Sequence, residues 1–184
     1  RKNNGASQRV LFGFTLGESI DGETDGQPNA TATGDGKDED GVTFSSPIVA
    51  GSTVDVTVTL KAPPGTNGGK IDGWIDWNRD GDWLDQGEHV LDVFQAPGSK
   101  TYTIAVPSTA VAGATYARIR LSQDGKLEAS GPSTQAGEVE DYQITLQAPE
   151  LKLDFGDAPD PKQPSHAARA RARDPVNSGG RAGR

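Results

Sequence analysis

Neither cysteine nor methionine occurs in the 184 residues. The first absence excludes disulfides and thiolate ligands, so any reinforcement of the fold beyond packing has to come from a source such as a bound ion. A cytosolic origin would explain the missing cysteine equally well. Without a methionine, residue 1 is not a natural start, and the chain reads as a piece of something longer. Histidine is also scarce, at His89 and His166. No HExxH pattern, nucleophile motif or Gly-rich phosphate loop is present, so the sequence is expected to be non-catalytic. Hydrophobic residues make up only 33% of the chain. No stretch approaches the roughly 20 apolar residues that a membrane span needs, and no signal peptide is visible.

What is abundant is glycine (24) and proline (12), a composition that suits short strands joined by turns. The net charge is −8 and unevenly spread. Residues 151–184 carry seven Lys or Arg against four Asp, which leaves −11 on residues 1–150. An acidic body argues against nucleic acid as a partner and is compatible with cations. Thr53-Val-Asp-Val-Thr-Val-Thr-Leu60 alternates strictly, placing Val54, Val56, Val58 and Leu60 on one face of a half-buried antiparallel strand. Further strands are expected at about 42–46, 70–76, 89–94, 100–106, 115–121 and 138–147, separated by turn signals such as Pro97-Gly98 and Asp124-Gly125. The expected fold is all-β: an antiparallel β-sandwich of about seven strands over residues 42–148. Residues 1–41 read as a loop-rich lead-in packed on it. Residues 162–184, an Arg/Ala/Gly string, read as a disordered tail. That string is either the product of a frameshift or a genuine basic extension.

The sharpest chemical signal is Asp76-Trp-Asn78-Arg-Asp80-Gly81-Asp82-Trp-Leu-Asp85-Gln-Gly-Glu88. Oxygen side chains at alternate positions 76, 78 and 80 can curl around one hard cation, and Gly81 permits the tight turn that brings the chain back. Asp82 continues the shell and Glu88 closes it. The spacing is that of the first half of an EF-hand loop, but Gly87 stands at the closing position and the flanks read as strands. The primary expectation is therefore a calcium loop between two strands with Asp76, Asn78, Asp80, Asp82 and Glu88 as ligands. The plain alternative is a hairpin tip of Asx turns with no ion.

Secondary ligand candidates are Asp21, Glu23 and Asp25 in Asp21-Gly-Glu-Thr-Asp-Gly26, together with Asp38 and Asp40. Glu138 and Glu140 share strand parity with Tyr142, Ile144 and Leu146, which places two carboxylates on the core face. Carboxylates so placed need partners. Either calcium shared with Asp38 or Asp40, or Arg118 or Arg120 on the neighbouring strand, would serve. Trp74, Trp77 and Trp83 cluster around the loop. They read as caps on a small core, with a sugar-stacking platform as the alternative.

Five motifs resemble the GEVED domain family of bacterial extracellular proteins, over roughly residues 10–147. They are Asp21-Gly-Glu-Thr-Asp-Gly-Gln-Pro28, Asp38-Glu-Asp-Gly-Val42, Gly73-Trp-Ile-Asp-Trp-Asn-Arg-Asp-Gly-Asp-Trp83 with Gly87-Glu88, Thr115-Tyr-Ala-Arg-Ile-Arg-Leu-Ser122, and Gly137-Glu-Val-Glu-Asp-Tyr142. Leu153-Asp-Phe-Gly-Asp-Ala-Pro-Asp160 resembles the lead-in to a further such domain, so residues 149–161 are expected to begin a next repeat. The resemblance implies a β-sandwich module of a large secreted or cell-surface protein, with calcium on the aspartate-rich loop. Its expected role is structural or adhesive, as a monomeric repeat module whose partners are neighbouring domains of the same polypeptide. The second reading is an accessory module that binds carbohydrate, a surface glycan or a protein ligand beside a secreted hydrolase.

Overall fold

The Val/Thr alternation builds the first long strand as the sequence requires. Val54, Val56, Val58 and Leu60 of Thr53–Lys61 (β5) are each at most 1% exposed, while Asp55, Thr57 and Thr59 point outward. There they pair across to Gly98–Ala105 (β8): Thr57 with Thr101, Thr59 with Ser99, and the Thr103 hydroxyl donating to Asp55. This is the computed structural model of the chain, and it describes residues 5–18 and 39–150. These described residues form one compact unit. The expected second lead-in and the tail lie, from residue 151 on, outside the described residues.

Ten strands occur among the described residues, and no helix. In chain order the remaining ones are Ser7–Arg9 (β1), Thr15–Leu16 (β2), Val42–Phe44 (β3), Ile48–Val49 (β4), Gly69–Ile75 (β6), His89–Gln95 (β7), Gly113–Ser122 (β9) and Pro132–Gln147 (β10). One sheet runs β1-β10-β9-β6-β7, with β4 also on β10. The other is built on β5, with β2 and β3 on one side and β8 on the other.

The all-β fold of two facing sheets is the one expected, with two corrections. The seven expected strands correspond to β3 and β5–β10, and three more, of two or three residues each, are added. Nor is the pairing wholly antiparallel, because β1 and β4 both run parallel to β10.

The core lies between the sheets. Ile71, Ile75, Ala117, Ile119 and Leu121 face the β5 row, and Phe14 and Leu16 of the lead-in close one end. Burial of such side chains contributes about 1.5–3 kcal/mol each. The outer face of β6 and β9 is also covered. Arg120, Asp72 and Trp74 are at most 4% exposed there, under a segment that includes the buried Ala129.

Candidate metal loop and the carboxylates of the last strand

The chain from β6 to β7 turns through the aspartate-rich segment, and short side-chain to backbone bonds dictate its path. Asp76 accepts from the N–H of Arg79 (2.6 Å) and of Gly81 (3.2 Å). Asn78 Oδ1 accepts from Asp80 N, Asp80 Oδ1 from Asp82 N, and Asp82 Oδ1 from Leu84 N, at 2.9–3.1 Å. Each is an Asx turn, in which a side-chain oxygen stands in for a backbone carbonyl two residues on. Gly81 sits at φ 90°, where a side chain would be strained.

This curl brings the carboxylate oxygens of Asp80, Asp82 and Asp85 within 4.8 Å of one another, all exposed, a cluster that could hold a metal ion. Asn78 Nδ2 donates to Asp80 (2.9 Å) and Asp85 (2.5 Å), drawing both carboxylates toward one point. Burial disfavours charge on Glu88 and raises its pKa, and the Asp76 and Asp85 charges push the same way against the stabilising N–H donors. Asp80, accepting from Asn78 and from backbone N–H, has its pKa lowered.

Of the five expected ligands, Asp80 and Asp82 belong to this cluster. Asn78 reaches it through its amide. Asp76 and Glu88 form the base of the loop and are 4% and 1% exposed. Glu88 Oε1 accepts from Trp77 N (3.0 Å), whereas Oε2 is buried with no hydrogen-bond partner. A buried carboxylate oxygen left so is costly, and an oxygen-seeking cation is a chemically suitable partner for it. Asp85 is the member that the expected ligand set omits.

Two of the three tryptophans are buried. Trp77 is packed in the core and donates from Nε1 to Gly87 O (3.2 Å). Trp74 is 4% exposed and stacks on His89 with centroids 4.8 Å apart. Trp83 lies beneath the Arg118 guanidinium.

The carboxylates of β10 do face the core, 5% and 2% exposed, but the arginines do not meet them. In the β9–β10 register Glu138 stands opposite Leu121 and Glu140 opposite Ile119, so Arg118 and Arg120 project from the other face. Arg118 forks onto Asp141 of that face. Arg120 donates to the carbonyls of Glu128, Gly131 and Ser7. Glu138 and Glu140 instead receive backbone N–H groups of the lead-in. Glu138 accepts from Leu16 N. Glu140 Oε1 accepts from Asp40 N (3.2 Å) and Gly41 N (3.0 Å), and its Oε2 from the Tyr142 hydroxyl (2.9 Å). Tyr142 Oη in turn accepts from Val42 N (2.9 Å). Asp40 accepts from Glu18 N (2.8 Å), tying the two described stretches of the lead-in together. Burial raises the Glu140 pKa to about 7, against the opposing pull of these donors. The Tyr142 pKa is also raised, by burial and then by the adjacent carboxylate. Asp21, Glu23, Asp25 and Asp38 lie outside the described residues.

No curated protein and no solved structure matches the chain. Residues 70–145 match the family model described as the GEVED domain. The match spans the aspartate-rich loop and the β10 residues Glu138, Glu140 and Tyr142, but not β2, β3 and β5 of the facing sheet. Residues 70–145, the part of the chain that holds the loop and most of the last strand, are therefore the stretch that matches the GEVED domain family.

Proposed function

We propose that the chain is a non-catalytic, calcium-binding structural or adhesive module of a large secreted or surface-anchored protein. The observation that carries this reading is the loop itself: three carboxylates within 4.8 Å on one tight turn, in a segment that also holds a buried Glu88 oxygen with no hydrogen-bond partner. Like charges held so close repel unless neutralised. The ligand set is all oxygen on a flexible loop, which suits calcium better than magnesium with its strict octahedron. When bound, the ion neutralises these carboxylates. The chain's own residues hold the loop in place through the Asx turns and the Glu88 contact at its base. A module stiffened in this way keeps its geometry against its neighbours in the polypeptide. The burial of Trp74 and Trp77 supports this spacer role over carbohydrate stacking.

Thermal unfolding of the chelated protein with added calcium tests the reading. An ion that binds only the native state adds about 2.7 kcal/mol at a hundred times its dissociation constant, a rise in Tm of about 5–10 °C for a chain of this size. A saturable rise of that order is expected. An unchanged Tm up to millimolar calcium would sink the proposal.

A further inference from the structure

The loop is bolted to a part of the fold that carries no acidic ligand. Arg79, between Asn78 and Asp80, has φ 63°, the left-handed region that non-glycine residues seldom adopt. That backbone turns its side chain away from the carboxylates and onto the connection between β8 and β9. Its Nε donates to Ala114 O and its Nη1 to Ala112 O, both at 2.8 Å. The guanidinium lies flat over Gly113, where a Cβ would come within 2.5 Å of Nη1 and where φ is 130°. Three more bonds join the same two segments: Val111 N to Trp77 O (2.8 Å), Thr115 Oγ1 to Asp76 O (2.7 Å) and Asp76 N to Tyr116 O (3.1 Å). A side chain locked by two carbonyls fixes the backbone on either side of it, and here both adjacent residues, Asn78 and Asp80, orient the cluster.

We infer that Arg79 is the positioning residue of the ion loop and that, through Gly113, it couples ion occupancy to the β8–β9 connection, residues 106–112. The inference rests on the calcium reading above and adds to it a second segment, one without a ligand, that responds to the ion. A guanidinium is required because only its fork meets two carbonyls two residues apart. Gly113 is required because any side chain there displaces the fork. Groups that orient ligands without touching a metal typically change its affinity by about 10–100-fold when lost.

Two variants probe opposite sides of the contact. Arg79→Gly keeps the left-handed turn and removes the fork. Gly113→Ala leaves the loop sequence intact and pushes the guanidinium off. Calcium affinity by titration calorimetry and amide exchange at Val111, with and without calcium, are the readouts. Each variant is expected to bind calcium about tenfold more weakly and to lose the calcium-dependent protection of Val111. Gly113→Ala in the Arg79→Gly background is expected to cost no further affinity, because the two act through one contact. Loss of stability with unchanged affinity and unchanged calcium-dependent protection would mark Arg79 as a merely structural brace and overturn the inference, leaving the calcium reading standing. No calcium binding by the unaltered protein would overturn both.

Discussion

Replacing Glu140 by alanine is expected to destabilise the domain by about 3–5 kcal/mol, because two backbone donors and a tyrosine hydroxyl lose their acceptor inside the protein. The donors are Asp40 N, Gly41 N and Tyr142 Oη. All three are drawn to one side chain that is 2% exposed, so water cannot readily replace it. Glu140→Gln is expected to behave quite differently. Its carbonyl oxygen can accept from the two N–H groups and its amide can face the tyrosine oxygen, so it mimics the protonated acid.

The pH dependence separates the two variants. The folded-state pKa of Glu140 is raised from 4.5 to about 7. The folded protein therefore holds this proton more tightly than the unfolded chain does. The associated stability is fully present below pH 4.5 and is lost as the pH rises through about 7. A shift of that size corresponds to on the order of 3 kcal/mol. Urea unfolding in chelator from pH 4.5 to 8 should show wild-type stability falling across that window. Glu140→Gln should flatten much of the fall and match or exceed the wild type at pH 8. Parallel slopes for the two proteins would mean that Glu140 is not the group responsible.

Loss of Arg120 is the second large effect. This guanidinium is 1% exposed, and burial is the main reason its pKa falls to about 10. It donates to Glu128 O (2.7 Å), Gly131 O (3.3 Å) and Ser7 O (3.1 Å), so one side chain holds β1 and the covering segment to β9. It also stands opposite Asp72 in the β6–β9 register, and the Asp72 carboxylate is buried with one oxygen lacking a hydrogen bond. Burial raises the Asp72 pKa, and the Asp92 charge adds to the shift. Arg120→Ala should cost about 3–5 kcal/mol, because a large buried side chain is removed and three carbonyls lose their donor together. Arg120→Lys should recover little, since an ammonium cannot span both segments. Adding Asp72→Asn to Arg120→Ala should restore part of the loss, because burial already disfavours the Asp72 charge and the facing guanidinium is gone. If Asp72→Asn instead costs the same in both backgrounds, the two groups are independent.

Both sites show where sequence periodicity carries and where it stops. Strict alternation at residues 53–60 made β5 legible, because the period of a half-buried strand is visible within one segment. The strands that escaped, β1, β2 and β4, have two or three residues, too few to display any period. They exist because β10 and β5 offer long edges to pair with. The Asx curl at 76, 78 and 80 was legible because its bonds span two to five residues. Asp85 was harder to place, since its approach depends on how the turn closes after Gly81.

Parity correctly put Glu138 and Glu140 on the core face. It could not identify their partners, which are backbone groups about a hundred residues earlier. Strand parity alone leaves the neighbouring arginines open as partners. A pairing of Glu140 with Ile119 sends both flanking arginines to the opposite face, and a slip of one residue would have reversed that.

Calcium titration calorimetry on the chelated chain, beside a variant carrying Asp80→Asn and Asp85→Asn, tests the central claim most directly. The substitutions keep side-chain shape while removing two of the three clustered charges. The account predicts saturable binding by the wild type and its loss, or weakening beyond about a hundredfold, in the variant, since affinity at such loops follows ligand charge. Equal affinity in the two proteins, or no binding by the wild type, would contradict it.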